Sequence, residues 1–382
     1  MAGIYIHVPF CERRCTYCDF YFVTTARSHA PFVRAVTAEI AHYGGEYASR
    51  EPIETIYFGG GTPSRLNAQD VEAILRALND AFDTSAVREV TFEMNPDDAG
   101  LTYLRQLKAL GINRLSIGIQ SFFEADLTFM NRSHSELQAR QVVDTVREAG
   151  FENFSIDLIF GVPDQPEEYW AANLERAVTM EVPHISTYSL TVEEGTVLAN
   201  QVRRGIVQPR EDEDTSDQYL FTMEYLESRG MEHYEISSFA RPGFRSQHNA
   251  SYWRHANYLG FGPSAHSFWW KGLPARRWAN IRNLRAYEAF VDGGQLPLDY
   301  REDLLLDDLA DEYIMLALRT REGIDLELLE QRYGVDLLDE NLENIAWLEE
   351  AGHIEPVSGR RLRLTPQGRT VCDSVVRRLA LS

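Results

Sequence analysis

Through the first half of the chain, short apolar bursts alternate with longer stretches in which apolar residues recur at helical spacing. The bursts lie at 3–8, 53–58, 87–92, 114–119, 154–160 and 184–190, and strands are expected there. Helices with one buried face are expected at 31–43, 67–82, 101–110, 135–149 and 167–180. The ends agree with this reading. Pro31 suits a first turn, Asn67 is a candidate N-cap, and Gly111 and Gly150 stand where helices stop. Strands separated by helices predict an α/β fold with parallel pairing and right-handed crossovers. A run of six such units fits an open or partial (β/α)6 barrel better than a doubly wound sheet.

The pattern then changes. Residues 195–230 form a connection ending in a helix at 213–229. Aromatic residues are dense from Tyr252 to Trp278, which suits either an ordinary core or a groove for a flat ligand. From about residue 304 the spacing is helical, at 307–320, 325–333 and 337–351. Two short strands, 353–357 and 361–364, read as a hairpin turning at Ser358-Gly359, and Thr365-Pro366 opens a last helix to about 381. Helices followed by a two-stranded wing resemble a winged-helix domain. Three regions are therefore expected: a barrel core at 1–200, a barrel-extending region at 201–300, and a helical, winged-helix-like domain at 301–382.

Cysteine placement adds chemistry. Three of the four cysteines fall in Cys11-x3-Cys15-x2-Cys18, directly after the first expected strand. Three thiolates on one tight loop hold three corners of a cubane iron–sulfur cluster. A closed structural zinc site asks for four ligands, and His7 is the only close candidate for the fourth. A disulfide framework asks for an even count and an oxidising compartment. Chance clustering of buried thiols is the remaining alternative. Three protein ligands with one open position suit a substrate or cofactor.

The other unusual residues, Gly59-Gly60-Gly61, Glu93, Asn95, Gln120 and Asp157, also fall at or near C-terminal ends of expected strands. In barrels built this way that face carries the active site. Each has a plainer reading. The glycines could be a tight turn, Glu93 and Asp157 halves of structural ion pairs, and Gln120 a helix-start residue. Arg132 could be a surface arginine and His134 a satisfied loop histidine. No Gly-Lys-Ser/Thr follows the glycines, so they are not a phosphate loop.

The formal net charge of −21 argues against nucleic acid as a partner, despite Arg360, Arg361 and Arg363 in the expected wing. A DNA-binding regulator is the least favoured class. No secretory leader pattern and no apolar run near membrane-spanning length occur, so a cytoplasmic location is expected, where reducing conditions suit thiolate ligands.

The cysteine motif is similar to that of the radical S-adenosylmethionine (SAM) enzymes. In that superfamily the methionine end of the cofactor chelates the fourth iron, and an electron from the cluster cleaves its sulfonium. Over nearly the whole chain the order of motifs resembles the oxygen-independent coproporphyrinogen III oxidase family. IYIHVPFCERRCTYCDF, YFGGGTPS, FEMNPDD, RLSIGIQSF, MNRSHS and SIDLIFGVPDQ carry the resemblance, with YEISSFARPGFRSQHNASYW and YLGFGPSAHSF further on. It implies a [4Fe–4S] cluster on Cys11, Cys15 and Cys18. It implies SAM contacts at Tyr5, Gly60, Gly61, Thr62, Glu93, Gln120, Arg132 and Asp157, with Tyr17 stacked nearby.

The oxidases of this family carry a fourth cysteine two residues after the third, and often an N-terminal extension. Here Phe20 takes that position, and the chain begins close to its first strand. With His248-Asn249-x-x-Tyr252-Trp253, these features resemble the haem chaperone branch of the family. That branch implies haem as cargo, client haem proteins such as membrane respiratory enzymes, an electron donor for the cluster, and no oxidase activity. The alternative is radical decarboxylation of coproporphyrinogen III to protoporphyrinogen IX. For haem, His248 is the candidate axial ligand, with Tyr252 and Trp253 packing on the macrocycle. A loop-fixing role for His248 is the plainer reading, and His266 is a second candidate.

Overall fold

The computed structural model describes residues 2–24, 28–47, 51–357 and 359–381. Its six leading strands are β1 (Ala2–Val8), β2 (Ile53–Gly60), β3 (Glu89–Met94), β4 (Arg114–Gln120), β5 (Phe154–Phe160) and β6 (His184–Ser189). They lie side by side in chain order, and each neighbouring pair is parallel. A doubly wound sheet would reverse its order partway; this one does not, as a (β/α) winding requires. Helices fill the connections: α1 (Ala30–Tyr47), α2 (Ala68–Ala81), α3 (Leu101–Ala109), α4 (Glu124–Phe129), α5 (Glu136–Glu148) and α6 (Glu167–Thr179). Asn67 caps α2, its side chain accepting from the Asp70 N–H. Helix α4 was not expected from the periodicity. It is short and lies between Gln120 and the Ser135 capping box of α5.

The strands obey a period of two. On β4, Leu115, Ile117 and Ile119 bury into the main core, while Arg114, Ser116, Gly118 and Gln120 alternate with them. The polar and small positions thus share one face, and part of it becomes the site described below.

The sheet continues well beyond six strands. After α7 (Val197–Arg203) and α8 (Asp212–Ser228), β7 (Glu232–Glu235) and β8 (Ser238–Ala240) extend it antiparallel from β6. After α9 (Gln247–Trp253), β9 (Asn257–Phe261) pairs parallel with the free edge of β1. Next come β10 (His266–Trp269), β11 (Ala275–Asn280), α10 (Leu284–Asp292) and β12 (Leu298–Leu304), the three strands running antiparallel. The linear order is therefore β12-β11-β10-β9-β1-β2-β3-β4-β5-β6-β8-β7. β1 and β6 are not paired with each other, and the barrel is open.

Close backbone approach sets where β9 and β10 meet. A Cβ at Gly260 would lie 2.1 Å from the His266 carbonyl oxygen. The extension is tied to α1 by Glu39, a buried carboxylate that accepts from the Gly262 N–H, Asn280 Nδ2 and the Tyr287 hydroxyl.

The C-terminal helices begin with α11 (Leu306–Leu318) and form a second apolar cluster around Leu309, Ile314, Leu329, Leu348, Val375 and Leu379. The hairpin expected over 353–364 forms as a short pairing at its base. Ile354 and Leu364 bridge antiparallel, flanked by hydrogen bonds from the Glu355 N–H to the Arg363 carbonyl and from the Thr365 N–H to the His353 carbonyl, and β14 (Arg361–Leu362) pairs in addition with β13 (Ile324–Asp325), where Leu362 and Ile324 are both buried. Gly359 belongs to the expected turn; Ser358 lies outside the described residues. The last helix is broken at Val371 into Pro366–Thr370 and Cys372–Leu379. Among the described residues no helix is long and apolar enough to cross a membrane.

Gly260→Ala should lower the thermal midpoint, by a stability loss of about 1–3 kcal/mol, because a backbone oxygen occupies the Cβ position. Gly100→Ala, whose Cβ would meet nothing within 4 Å, serves as the matched control. Equal midpoints for the two variants would refute the packing argument.

Candidate functional site

The loop after β1 is pinned to the end of β2. The Gly61 N–H donates to the Val8 carbonyl at 2.8 Å and the Thr62 N–H to the Phe10 carbonyl at 2.7 Å. Gly60 has φ +108°, and a Cβ there would lie 2.7 Å from the His7 ring. At Gly61 a Cβ would crowd the Val8 and Phe10 carbonyls. The glycine triplet therefore lets the chain entering Cys11 sit flat on β2. From the other side, the Asn131 side chain donates to the Arg14 carbonyl and the Thr16 N–H to the Met130 carbonyl.

The loop so held lines a cavity of about 890 Å³. Cys11, Cys15 and Cys18 all face it, with Gly60, Gly61, Thr62, Glu93, Gln120, Arg132, Asp157 and Tyr17. Tyr5 does not. It stands behind the wall, stacked on Tyr57 at 6.1 Å, while the Tyr57 hydroxyl donates to Glu93 at 2.6 Å.

The sulfurs receive hydrogen bonds. Thr62 Oγ1 donates to Cys11 Sγ at 3.5 Å and Arg132 Nη1 to Cys15 Sγ at 3.4 Å. Arg132 Nη2 also donates to Asn95 Oδ1 and to the Gly118 carbonyl, both at 2.7 Å. A Cβ at Gly118 would fall 2.8 Å from Gln120 Nε2 and 3.1 Å from Arg132 Nη2, so its absence leaves room for both. Gln120 has φ +65°, a strained value for a residue with a Cβ, at the site where the β4–β5 register shifts. Burial pushes the thiols of Cys11 and Cys18 up, to about 11 and about 12, so ionised ligands there need cationic compensation.

Glu93 and Asp157 share the deep end of the cavity. Burial raises Glu93 to about 7, opposed by the Tyr57 hydrogen bond and reinforced by the charge of Asp157. Burial raises Asp157 to about 6, opposed by a hydrogen bond from Ser186, the charge of Arg114 and a hydrogen bond from Ser116. Among the described residues neither carboxylate has an ion-pair partner.

His7 is not a cluster ligand in this structure. It is buried, with Nε2 to the Tyr21 carbonyl at 2.9 Å and Nδ1 to the Tyr5 hydroxyl at 3.3 Å. His134 is likewise buried, bonded to the Ile119 carbonyl.

His248 is also placed differently from the haem-ligand expectation. It is fully buried on α9, at the N-terminal ends of β2 and β3. Its Nδ1 bonds Thr55 Oγ1 and its Nε2 the Tyr252 hydroxyl, each at 2.8 Å. The backbone N–H groups of Gln247 and His248 donate to Glu89. Thr55 stands five residues before Gly60, about 16 Å along the strand from the cysteine end. With no free ring nitrogen and no cavity, His248 braces the barrel floor, and Tyr252 is its partner. Trp253 is half-buried under the Arg319 guanidinium, 5.6 Å from its ring centroid. His266 is exposed at the start of β10, bonded to Tyr300, and away from the cavity.

Other cavity residues were missed from the sequence: Ser116, Gly118, Thr187, Tyr188, Arg319 and Arg369. Ser116 and Gly118 were signalled by their period-two spacing with Gln120. The arginines carried no local signal.

The radical SAM superfamily model matches residues 5–177, and the HemN C-terminal domain model matches 304–371. A protein of Lactococcus lactis named "Heme chaperone HemW" is 34% identical over 86% of this chain and 84% of its own length. A Mycobacterium tuberculosis protein of the same name is 32% identical over 99% of this chain and 94% of its own. The chain belongs to the HemW family. A mitochondrial radical S-adenosyl methionine domain-containing protein 1 of Danio rerio is 31% identical over 98% of this chain and 86% of its own length. The solved coproporphyrinogen III oxidase HemN of Escherichia coli superposes with a TM-score of 0.85 at 24% identity, covering 100% of this chain and 90% of that one. That likeness extends the shared fold to the whole HemW-family chain.

Membership of the radical SAM superfamily implies a [4Fe–4S] cluster and SAM, and the donor set fits both. Three free thiols share one wall, two of them receiving hydrogen bonds. Two carboxylates that, among the described residues, form no direct ion pair and feel Arg114 only through its charge suit a ligand bearing an ammonium or sulfonium. Among the described residues no three His, Cys, Asp or Glu side chains converge on a single metal ion.

Two outcomes follow. Folding holds the Glu93 proton more tightly than the unfolded chain does, so its stabilising effect is complete below about pH 4.5 and is lost as pH rises towards 7. Glu93→Gln should remove about 1–3 kcal/mol of that decline, read as thermal midpoints of the cofactor-free protein from pH 4.5 to 7.5. Parallel profiles for parent and variant would contradict the burial of this charge. His248→Ala should cost about 1–3 kcal/mol by stranding Thr55 and Tyr252, with iron content per folded molecule unchanged; an unaltered midpoint would refute the bracing role.

Proposed function

We propose that this protein is a haem chaperone built on a radical SAM scaffold. It binds haem as cargo and passes it to client haem proteins, respiratory enzymes of membranes among them, in a reducing compartment such as the cytoplasm. Cys11, Cys15 and Cys18 hold a [4Fe–4S] cluster, and SAM lies against Gly60, Gly61, Thr62, Glu93, Gln120, Arg132 and Asp157. The observation that carries the reading is that these residues, drawn from β2 to β5 and the turn after α4, line one cavity with the cysteines that follow β1. The names of relatives matched over most of their length support the haem assignment. Residues 1–200 carry the cofactors, 201–300 extend the sheet, and 301–382 close the cavity.

When bound and reduced, the cluster supplies an electron to the SAM sulfonium. The chain's own residues set the conditions. Arg132 and Thr62 donate to the sulfurs of Cys15 and Cys11, which would favour the ionised form that holds a cluster. Glu93 and Asp157 would receive the cationic and hydroxyl groups of SAM, whose positive charge would favour their ionisation. Phe20, 65% exposed where a further cysteine is absent, gives the mouth an apolar edge.

A second reading, oxygen-independent decarboxylation of coproporphyrinogen III, is favoured by one observation: nearly the whole SAM-binding set faces the cavity. One experiment separates the two. Protein reconstituted anaerobically with iron and sulfide is titrated with haem by absorbance. In parallel it is incubated with coproporphyrinogen III, SAM and a reductant, and the products are analysed. Saturable haem binding without decarboxylated product is the expected outcome. Turnover to protoporphyrinogen without saturable haem binding would reverse the assignment.

A further inference from the structure

The far wall of the cavity, opposite the SAM-binding strand ends, is built by the C-terminal helices. Arg319, at the end of α11, and residues 369–374 face the same space as the cysteines. The two arginines there are unevenly satisfied. Arg369 is largely buried, and among the described residues its guanidinium bonds Nδ1 of His233, at 2.5 Å. His233 is neutral, since burial lowers it to about 3. Among the described residues no carboxylate pairs directly with Arg369; Glu227 and Glu355 act on it only through their charge, and burial outweighs them and lowers its own value. A guanidinium in that setting is a buried cation awaiting an anion.

Arg319 lies over the Trp253 ring and contacts Asp373 at 3.3 Å. The Asp373 side chain is 75% exposed, so this pair is weak, and Arg319 keeps most of its capacity for another anion. The first turn of the helix Cys372–Leu379 opens on the same wall and adds its positive end. Glu93 and Asp157 thus line the cavity among the SAM-binding residues, with Arg132 beside them, while Arg319 and Arg369 add cationic groups on the C-terminal side. Tyr188, Ile236 and Phe20 lie among the lining residues. A ligand matching this pattern is flat, largely apolar, and carries carboxylates along one edge.

We propose that Arg319 and Arg369 bind the propionate edge of a tetrapyrrole, orienting the cargo with its carboxylates towards the C-terminal helices. This rests on the haem reading above and assigns its anionic anchor. Guanidinium–carboxylate contacts suit such an edge because the fork matches the carboxylate in geometry as well as charge.

The test uses the reconstituted full chain under anaerobic conditions. Haem and haem dimethyl ester, whose propionates are uncharged, are titrated into the parent, Arg369→Gln, Arg369→Lys and Arg319→Gln. The parent should bind the ester about tenfold or more weakly than haem, the loss of one charge-assisted contact. Arg369→Gln should lose a similar factor for haem and little for the ester, and Arg369→Lys should recover part of it. Equal binding of haem and ester by the parent would overturn the anchor while leaving haem binding intact. An equal loss of both ligands in a folded Arg369→Gln would do the same. Should Arg369→Gln fail to fold, the parent's discrimination and Arg319→Gln decide the matter. Failure of the parent to bind haem at all would bring down the functional reading and the anchor together.

Discussion

Everything at the cofactor end depends on one backbone contact. The chain leaving β1 lies flat on the end of β2, joined by hydrogen bonds from Gly61 to Val8 and from Thr62 to Phe10. That approach is possible only where no Cβ intervenes, and the positive φ of Gly60 turns the strand end to meet it. Once it is made, Cys11 follows immediately, and Thr62 comes within reach of its sulfur. The opposite side of the loop is tied to the Met130–Arg132 turn, which supplies Arg132 to Cys15. A loop of three ligands is thereby fixed at both flanks by main-chain bonds rather than by the ligands themselves.

Electrostatics then divides the cavity. Glu93 and Asp157 are held by neutral donors, Tyr57, Ser116 and Ser186, which satisfy oxygens without cancelling charge. Arg369 is held by a neutral histidine in the same manner. Buried ionisable groups are usually paired with each other. Here Arg114 and Arg132 reach the carboxylates through their charge without pairing directly, and Arg319 and Arg369 sit on another wall, so part of the compensation is left to what enters between them.

The other end of the barrel is closed. Helix α9 caps the N-terminal edges of β2 and β3 through Glu89, and His248 joins Thr55 to Tyr252 across that seam. Every polar atom of the imidazole is spent within the protein. Through Trp253 and Arg319 the same helix reaches the cavity's far wall, so the HNxxYW stretch touches the site by way of its last residue, not its first.

The chain's local pattern carried much of this. Six strand–helix units, their parallel order and the cysteine loop were legible because hydrophobic periodicity, caps and ligand spacing are local properties, encoded within a few residues of one another. The placement of Glu93, Gln120 and Asp157 at strand ends was legible for the same reason, and Gly118 was readable from its register with Gln120. What the sequence could not disclose depended on contacts made far along the chain. Residues 257–261 are a short, glycine-containing segment, and only the open edge of β1 makes them a strand. Arg361–Leu362 joined β13 as well, beyond the pairing of residues 363–365 with their neighbours, because Leu362 and Ile324 could bury each other. The exposed or buried state of His248 was set by Thr55, nearly two hundred residues earlier. Arg319 and Arg369 became cavity residues only when the C-terminal helices folded over the barrel mouth. Which groups are local is written in spacing; which distant groups share a cavity is decided by packing, because burial is a property of the whole fold.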